Sequence, residues 1–261
     1  MNKFQTLILL GLIPFLFSCS GANSTDKINT ATNHYINDSI DTVIVKNEAQ
    51  YPDIDKRYLL GKINPQNDSL FVVVPSKYCL MRTEYLHKDA LEPFIAMYEA
   101  AAMEGINLGI ISAYRNYETQ AWLWNSRYVN SSNPTVAAKT ALKYIAMPGT
   151  SRHHWGTDID MLNTKLNFFE TEEGKKAYKW MCENAPKYGF YQVYTQNRIV
   201  GYNEEKWHWS YIPVAKEFLK QYRAKISYEE FVGFNGCELA DTLNVIDDYV
   251  FGIDSVLLRS L

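Results

Sequence analysis

The sequence lacks an excess of positive charge, a membrane-spanning apolar run and a cysteine pattern of the kind that binds metals. Its 26 Lys and Arg are balanced by 29 Asp and Glu, and the formal net charge of −3 gives no support for nucleic-acid binding. The N-terminal apolar run, Leu7 to Phe17, is shorter than the roughly 20 residues that cross a bilayer. The four cysteines do not have the spacing of a metal site. We therefore expect no nucleic-acid partner, no transmembrane helix and no cysteine-based metal centre.

The N-terminus instead has the pattern of an export signal. Lys3 gives a short positive start, the apolar run follows, and Cys19 comes directly after a small residue, as in a bacterial lipobox. Phe17 differs from the small or branched residue usual in that motif, so an ordinary cleaved signal with an incidental cysteine is the alternative. We expect residues 1–18 to be a signal peptide and residues 19–50 a lipidated N-terminus with a flexible polar tether. The protein would then be an exported, membrane-anchored lipoprotein facing the periplasm or cell envelope.

Residues 51–261 are predicted to form one domain of the α+β class, with a helical C-terminal extension from about residue 226. Apolar periodicity predicts strands over about 70–74, 108–113, 157–162, 190–194 and 207–211. It predicts helices over about 88–104 and 136–145, and from about 116, 172 and 213. Because strands and helices do not alternate regularly, we expect a small antiparallel sheet flanked by helices, not a doubly wound sheet. His87, just before the first of these helices, is predicted to lie on the surface.

The stretch from Ser151 to Asp160 contains two of the five histidines and two aspartates within ten residues. If residues 157–162 form a strand, Asp158 and Asp160 share one face, and the opposite face is mostly apolar and suits a core. Two carboxylates on one strand face require a partner, because unpaired buried charges are costly. Downstream, the same rule puts His208 on the polar face of a second strand. A cation shared by the two polar faces explains both.

Two imidazoles and one carboxylate form a familiar catalytic zinc set that leaves a position open for water. Gly156 permits a tight turn that would bring a histidine back towards the aspartates. The residue pattern alone does not separate His153 from His154, or Asp158 from Asp160. A set of satisfied polar core residues that binds no metal is the alternative.

A carboxylate near such a metal would serve as the base that accepts a proton from water. Glu205 lies three residues before His208, but the two positions have opposite strand parity. One regular strand through both would turn Glu205 away from the site. We therefore predict that the strand begins near Trp207 and that Glu205 lies on the preceding turn.

Three motifs resemble one family, the zinc D-alanyl-D-alanine carboxypeptidases of the VanY type. Two of them are Ser151-x-His153-x-x-Gly156-x-x-x-Asp160 and Glu205-x-Trp207-His208. The third, Ser112-Ala113-Tyr114-Arg115-Asn116-Tyr117-Glu118-Thr119-Gln120, is similar to the family's Ser-x-Tyr-Arg-Ser-x-x-x-Gln stretch. They occur in the family's order and span most of residues 108–211. The resemblance implies the fold shared by the D-Ala-D-Ala peptidases and the hedgehog signalling domain.

The resemblance also implies an activity and a role for each motif residue. The activity is removal of the terminal D-Ala from peptidoglycan stem peptides, with one zinc ion as cofactor. The implied roles are zinc ligands for His153, Asp160 and His208, general base for Glu205, oxyanion stabilisation for Arg115, and substrate contact for Ser112, Gln120 and Ser151.

Asp158 departs from the family pattern, in which this position is commonly a small residue such as Ala. An acid there could tune the zinc or contact a substrate amine, so substrate preference stays open. An L,D-carboxypeptidase or an endopeptidase on the same scaffold is an alternative activity, and a non-catalytic zinc-containing binding module is an alternative class. The presence of both Glu205 and Arg115 favours an enzyme, because a base and an oxyanion-stabilising cation are needed together.

Overall fold

The computed structural model describes residues 51, 53–128 and 132–259. The predicted signal peptide, Cys19 and the tether lie outside the described residues, which all belong to one compact unit. Within these residues, no helix has both the length and the apolarity needed to cross a membrane.

The chain forms a mixture of helices and short strands. The strands are β1 (Phe71–Val73), β2 (Tyr85–His87), β3 (Ile110–Ser112), β4 (Asp158–Met161), β5 (Phe190–Gln192) and β6 (His208–Tyr211). The α-helices are α1 (Lys56–Leu59), α2 (Lys88–Met103), α3 (Tyr117–Arg127), α4 (Pro134–Ala141), α5 (Glu172–Asn184), α6 (Ile212–Lys225) and α7 (Ser255–Arg259). The predicted α+β class is therefore confirmed.

Two antiparallel sheets carry the strands, and the larger one has the order β3-β4-β6-β5. Strand β4 lies between β3 and β6, so its residues have neighbours on both sides. Asp160 of β4 is paired with Ser112 of β3 and with His208 of β6. This register brings residues from three distant parts of the sequence to one point of the sheet.

A turn centred on Gly156 delivers the chain into β4. Gly156 ends the short 3-10 helix Arg152–Trp155 with φ +67°, a left-handed conformation that glycine adopts without steric penalty. A Cβ at this position would lie 2.5 Å from the Phe71 ring and 3.0 Å from the backbone nitrogen of His87. The turn therefore requires glycine both for its backbone angle and for its close packing.

Helix α2 covers one side of the core, as its periodicity predicts. Ala90, Phe94, Met97 and Ala101 are buried at intervals of three or four residues. His87 caps this helix by accepting a hydrogen bond from the Asp89 backbone N–H. The prediction that His87 lies on the surface is wrong, because its ring is fully buried against aromatic rings from other parts of the chain.

The C-terminal part adds to the core through irregular turns. From residue 226 onwards, the predicted helical pattern corresponds to short 3-10 turns, the π-helix Ile246–Val250 and α7. Helix α4 ends at Ala141, earlier than the predicted residue 145. The three cysteines within the described residues, Cys79, Cys182 and Cys237, are not bridged.

Candidate active site

An open cleft of about 750 Å³ runs past the edges of β4 and β6. Its walls contain residues from all three sequence motifs. The lining residues near β4 and β6 and in the three motifs include Arg115, Ser151, Arg152, His153, Asp160, Tyr194, Glu205, Trp207 and His208. Polar and apolar side chains from α3, α4 and the neighbouring loops complete the lining.

His153, Asp160 and His208 form the buried centre of this cleft. One ligand-type atom from each lies within 4.8 Å of the others, an arrangement that could hold a metal ion. The Nε2 atom of His153 is 3.3 Å from one carboxylate oxygen of Asp160, and the Nδ1 atom of His208 is 3.1 Å from the other. The carboxylate thus lies between two imidazole nitrogens, and the β-sheet register accounts for its contact with His208.

The two adjacent histidines have different surroundings. The His153 Nδ1 atom lies 2.7 Å from the Ala113 carbonyl oxygen, so a proton on Nδ1 leaves Nε2 free to face Asp160. Both nitrogens of His154 are used by the backbone: Nδ1 lies 2.6 Å from the Arg115 carbonyl oxygen, and Nε2 accepts the Gly149 N–H at 3.1 Å. Burial lowers the pKa of His154 to about 3, so this ring is a neutral structural link.

Asp158 lies on the buried side of the His-Asp-His centre, away from the cleft. Its side chain has no exposed surface, and its nearest cation is the Nε atom of Arg152 at 3.0 Å. Burial would raise the pKa of this carboxyl, but Arg152 and His208 hold it well below its usual range. A contact between Asp158 and a substrate amine is therefore excluded, because the carboxylate is enclosed and already paired.

Glu205 lies beside His208, with 3.7 Å between its Oε2 atom and the His208 Nδ1 atom. Strand β6 begins at His208, so Glu205 precedes the strand and reaches the same side, which confirms the predicted break in strand geometry. Burial raises the pKa of Glu205 to about 8, with repulsion from Asp160 adding to it and attraction by His208 opposing it. A cation held by its neighbours would lower that pKa, because positive charge favours the carboxylate form.

Hydrogen bonds with two aspartates also shift the pKa of His208. Burial alone would lower its pKa, but hydrogen bonds to Asp158 and Asp160 raise the pKa of His208 to about 9. Two carboxylates, Asp158 and Asp160, thus contact one imidazole in a buried site, an environment that favours a positive charge.

Arg115 approaches the same centre from the loop after β3. Its Nη2 atom is 3.5 Å from an Asp160 oxygen and donates to the Ser112 hydroxyl at 3.1 Å. Its Nη1 atom donates to the Gln120 amide oxygen at 2.9 Å. The guanidinium is therefore fixed at the cleft surface, where an oxyanion could reach it.

The three predicted substrate contacts occupy different places. Ser151 lines the cleft. Gln120 has no exposed surface, and its amide NH₂ donates to the Ala146 carbonyl while its oxygen accepts from Arg115. Ser112 likewise accepts from Arg115. The contacts of Ser112 and Gln120 position Arg115, and direct contact of either residue with substrate stays a prediction.

Two residues near the centre were not identified from the sequence. Arg152 is 1% exposed and pairs with Asp158, and the Tyr194 ring lies 4.6 Å from the His208 ring, centroid to centroid. Arg152 adjoins a motif histidine, but a charged residue in a polar stretch carries no signal of burial. Tyr194 ends a predicted strand and could not be placed against His208 without the sheet order.

The donor set of the centre fits one zinc ion. Two histidine nitrogens and one carboxylate are usual ligands of catalytic zinc. The hydrogen bond from His153 to a backbone carbonyl is also typical, because it fixes the tautomer and orientation of a ligating imidazole.

Comparison with known proteins gives a family match. The family model described as VanY, D-alanyl-D-alanine carboxypeptidase, matches residues 83–214, just over half of the 261-residue chain. The putative carboxypeptidase YodJ of Bacillus subtilis is 33% identical over 165 residues, which cover 61% of this chain and 58% of YodJ. The chain thus matches less than two thirds of the length of that relative.

The chain is also similar to parts of two further proteins. A D-alanyl-D-alanine carboxypeptidase of Enterococcus faecalis is 24% identical over 189 residues, covering 68% of this chain and 67% of the relative. A zinc-bound mutant of the D,D-pentapeptidase VanY from a VanB-type vancomycin-resistance cassette has a TM-score of 0.44 and 24% identity, covering 67% of this chain and 98% of that one. From the family match across residues 83–214, this chain belongs to the VanY family of D-alanyl-D-alanine carboxypeptidases.

Proposed function

We propose that this protein is a zinc-dependent carboxypeptidase that removes the terminal D-Ala from peptidoglycan stem peptides. The observation that carries the proposal is the convergence in one cleft of a His-Asp-His group, a separate buried acid and a fixed guanidinium. A binding module would need the metal ligands but would not need Glu205 and Arg115 beside them. Catalysis of peptide hydrolysis needs all three parts together.

His153, Asp160 and His208 would hold the zinc. When bound, zinc lowers the pKa of a coordinated water to about 7 and polarises a carbonyl oxygen. Glu205 would accept the proton of the attacking water and return it to the leaving amine of the terminal D-Ala. Its burial suits this task, because a pKa near neutrality allows a carboxyl group both to take and to give a proton.

Arg115 would stabilise the negative charge that develops on the scissile carbonyl oxygen. Its two guanidinium hydrogen bonds, to Ser112 and Gln120, keep it in place before substrate arrives. Such preorganised donors are among the largest contributions to catalysis, because no reorganisation is needed when charge develops. Ser151, on the cleft wall, would contact the substrate peptide.

We also propose that the protein works outside the cytoplasm, anchored to a membrane through a lipid on Cys19. The N-terminal signal pattern supports this location. Peptidoglycan stem peptides lie outside the cytoplasm, so the proposed activity and the proposed address agree.

The test is mass spectrometry of muropeptides after incubation with wild type, Glu205→Ala or Glu204→Ala. Glu204 is the matched control, since it is the neighbouring acid and does not line the cleft. Wild type and Glu204→Ala should remove one D-Ala from pentapeptide stems, and Glu205→Ala should be slower by about 10²–10⁴-fold. Equal activity of Glu205→Ala would refute the role of Glu205.

Comparing tetrapeptide and pentapeptide stems as substrates distinguishes the proposed activity from an L,D-carboxypeptidase and from a binding module. Cleavage of tetrapeptide but not pentapeptide stems by wild type would indicate an L,D-carboxypeptidase. Zinc binding without cleavage of any stem peptide would indicate the binding module.

A further inference from the structure

Behind the His-Asp-His centre lies a second buried polar cluster that uses Asp158. One carboxylate oxygen of Asp158 lies 3.0 Å from the Arg152 Nε atom and 3.2 Å from the His208 Nε2 atom. The other oxygen accepts hydrogen bonds from Thr157 Oγ1 at 3.0 Å and Ser210 Oγ at 2.9 Å. Both oxygens are thus fully engaged, and one of these contacts reaches a predicted zinc ligand.

Arg152 holds this carboxylate in place from the other side. Its guanidinium is 1% exposed, donates through Nη2 to Ser210 Oγ at 2.8 Å, and stacks on the Trp155 ring with the central carbon 4.7 Å from the ring centroid. Arg152, Ser210 and Asp158 therefore form a closed set in which each member bonds the other two. A set tied at three points leaves Asp158 little freedom to move.

The ring of His208 joins the two clusters. Its Nδ1 atom faces Asp160 and Glu205 in the cleft, and its Nε2 atom faces Asp158 on the opposite edge. An Nε2–H that donates to Asp158 leaves the Nδ1 lone pair available on the cleft side. Carboxylate partners of this kind fix the tautomer and ring angle of a metal-binding histidine and increase its basicity.

We propose that Asp158, held by Arg152 and Ser210, is a positioning residue that orients His208 as a zinc ligand and strengthens zinc binding. The inference rests on the zinc site of the proposed function and does not depend on which peptide is cleaved. It also accounts for the acid at a position where the family commonly has a small residue. Asp158 and Arg152 occur as a pair, because either one alone would leave a buried charge without its counter-ion.

The test measures zinc affinity, by competition with a chromophoric chelator, and the visible spectrum of the Co(II)-substituted protein. The double variant Arg152→Met/Asp158→Ala removes the ion pair without leaving a lone buried charge, and it removes the acceptor for His208 Nε2. We expect zinc binding weaker by about 10–100-fold and an altered Co(II) spectrum. Asp158→Asn retains an acceptor oxygen and should fall between the double variant and wild type.

Tyr222→Phe is the matched control for losing a buried hydrogen bond. The Tyr222 hydroxyl donates to the Gly149 carbonyl at 2.8 Å and makes no contact with the zinc ligands. The zinc affinity of Tyr222→Phe should equal that of wild type. Thermal unfolding of each EDTA-treated variant checks that the fold is retained. A folded double variant with wild-type zinc affinity and an unchanged Co(II) spectrum would overturn the proposal, even if wild type cleaves stem peptides. Weakened zinc binding would support it even if no stem peptide were cleaved.

Discussion

Gln120 offers the sharpest distinction between two explanations of a motif residue. The family pattern implies that it contacts substrate, whereas in the structure its amide oxygen accepts from Arg115 at 2.9 Å and its NH₂ donates to Ala146 at 2.7 Å. Gln120→Leu keeps a side chain of similar size and removes both bonds. If Gln120 positions Arg115, stability and catalysis should fall together.

The structure sets the expected size of each effect. A hydrogen bond to a charged group contributes about 1.5–3 kcal/mol, and a neutral one about 0.5–1.5 kcal/mol. Losing both should decrease the free energy of unfolding by about 2–4 kcal/mol, or lower the melting temperature by roughly 5–10 °C for a domain of this size. Misplacement of the guanidinium should lower kcat/KM by about 10²-fold, mostly through kcat.

Two comparisons make the assay decisive. Gln221→Leu is a matched control, because the Gln221 amide also makes two hydrogen bonds, here both to backbone groups away from the cleft: it accepts from the Ile54 N–H and donates to the Tyr51 carbonyl. It should lose stability and keep its activity on pentapeptide stems. In an Arg115→Ala background, Gln120→Leu should cause no further loss of kcat/KM, since coupled residues are not additive. A full additional loss in that background, or a rise in KM with unchanged stability, would refute the positioning role.

Three other predictions test the metal, a glycine and a buried histidine. Removing zinc with EDTA should lower the melting temperature, because zinc at 100 times its Kd stabilises the fold by about 2.7 kcal/mol; identical melting of metal-free and zinc-loaded protein would contradict the site. Gly156→Ala should destabilise by at least about 1–2 kcal/mol from its left-handed backbone alone, and further from its 2.5 Å approach to the Phe71 ring. Gly105 also has a left-handed backbone, at φ +71°, but nothing lies within 4 Å of an added Cβ, so Gly105→Ala should lose only the stability that the backbone conformation accounts for. Equal melting temperatures for the two variants would contradict the packing argument. Burial lowers the pKa of His87 to about 4, although Asp89 opposes this. Because the unfolded chain takes up this proton at its ordinary pKa of about 6.5, the free energy of unfolding should decrease as the pH falls from about 6.5 towards 4. Urea unfolding at several pH values should show this loss, and His87→Asn, which can still cap α2, should reduce it; an unchanged pH dependence in that variant would contradict the assignment.

Periodicity in the sequence was sufficient for the local parts of this architecture. Alternation along residues 157–162 placed Asp158 and Asp160 on one face, and the parity mismatch between Glu205 and His208 placed Glu205 before the strand. Both features depend only on the two-residue repeat of a strand, which a sequence displays directly. The α+β class followed from the same local patterns.

Tertiary structure decided which of two equivalent neighbours faces the cleft. Asp160 and Asp158 have the same parity, but Asp160 pairs with His208 across the sheet, and Asp158 lies against the buried Arg152. The Nδ1 atoms of His153 and His154 meet different backbone carbonyls about forty positions earlier in the sequence. The Nε2 atom of His153 faces Asp160, whereas that of His154 accepts the Gly149 N–H. The resemblance to the family selects His153 and Asp160 but does not explain the choice.

Local sequence patterns also do not predict which polar residues are buried. His87, Gln120 and Arg152 are polar side chains with almost no exposure, and each is buried by partners from distant segments. A sequence shows that such residues are polar, and from that alone a surface position is the natural expectation. Whether a polar group can be buried depends on finding its hydrogen-bond partners, and those are brought together only when the strands and helices pack.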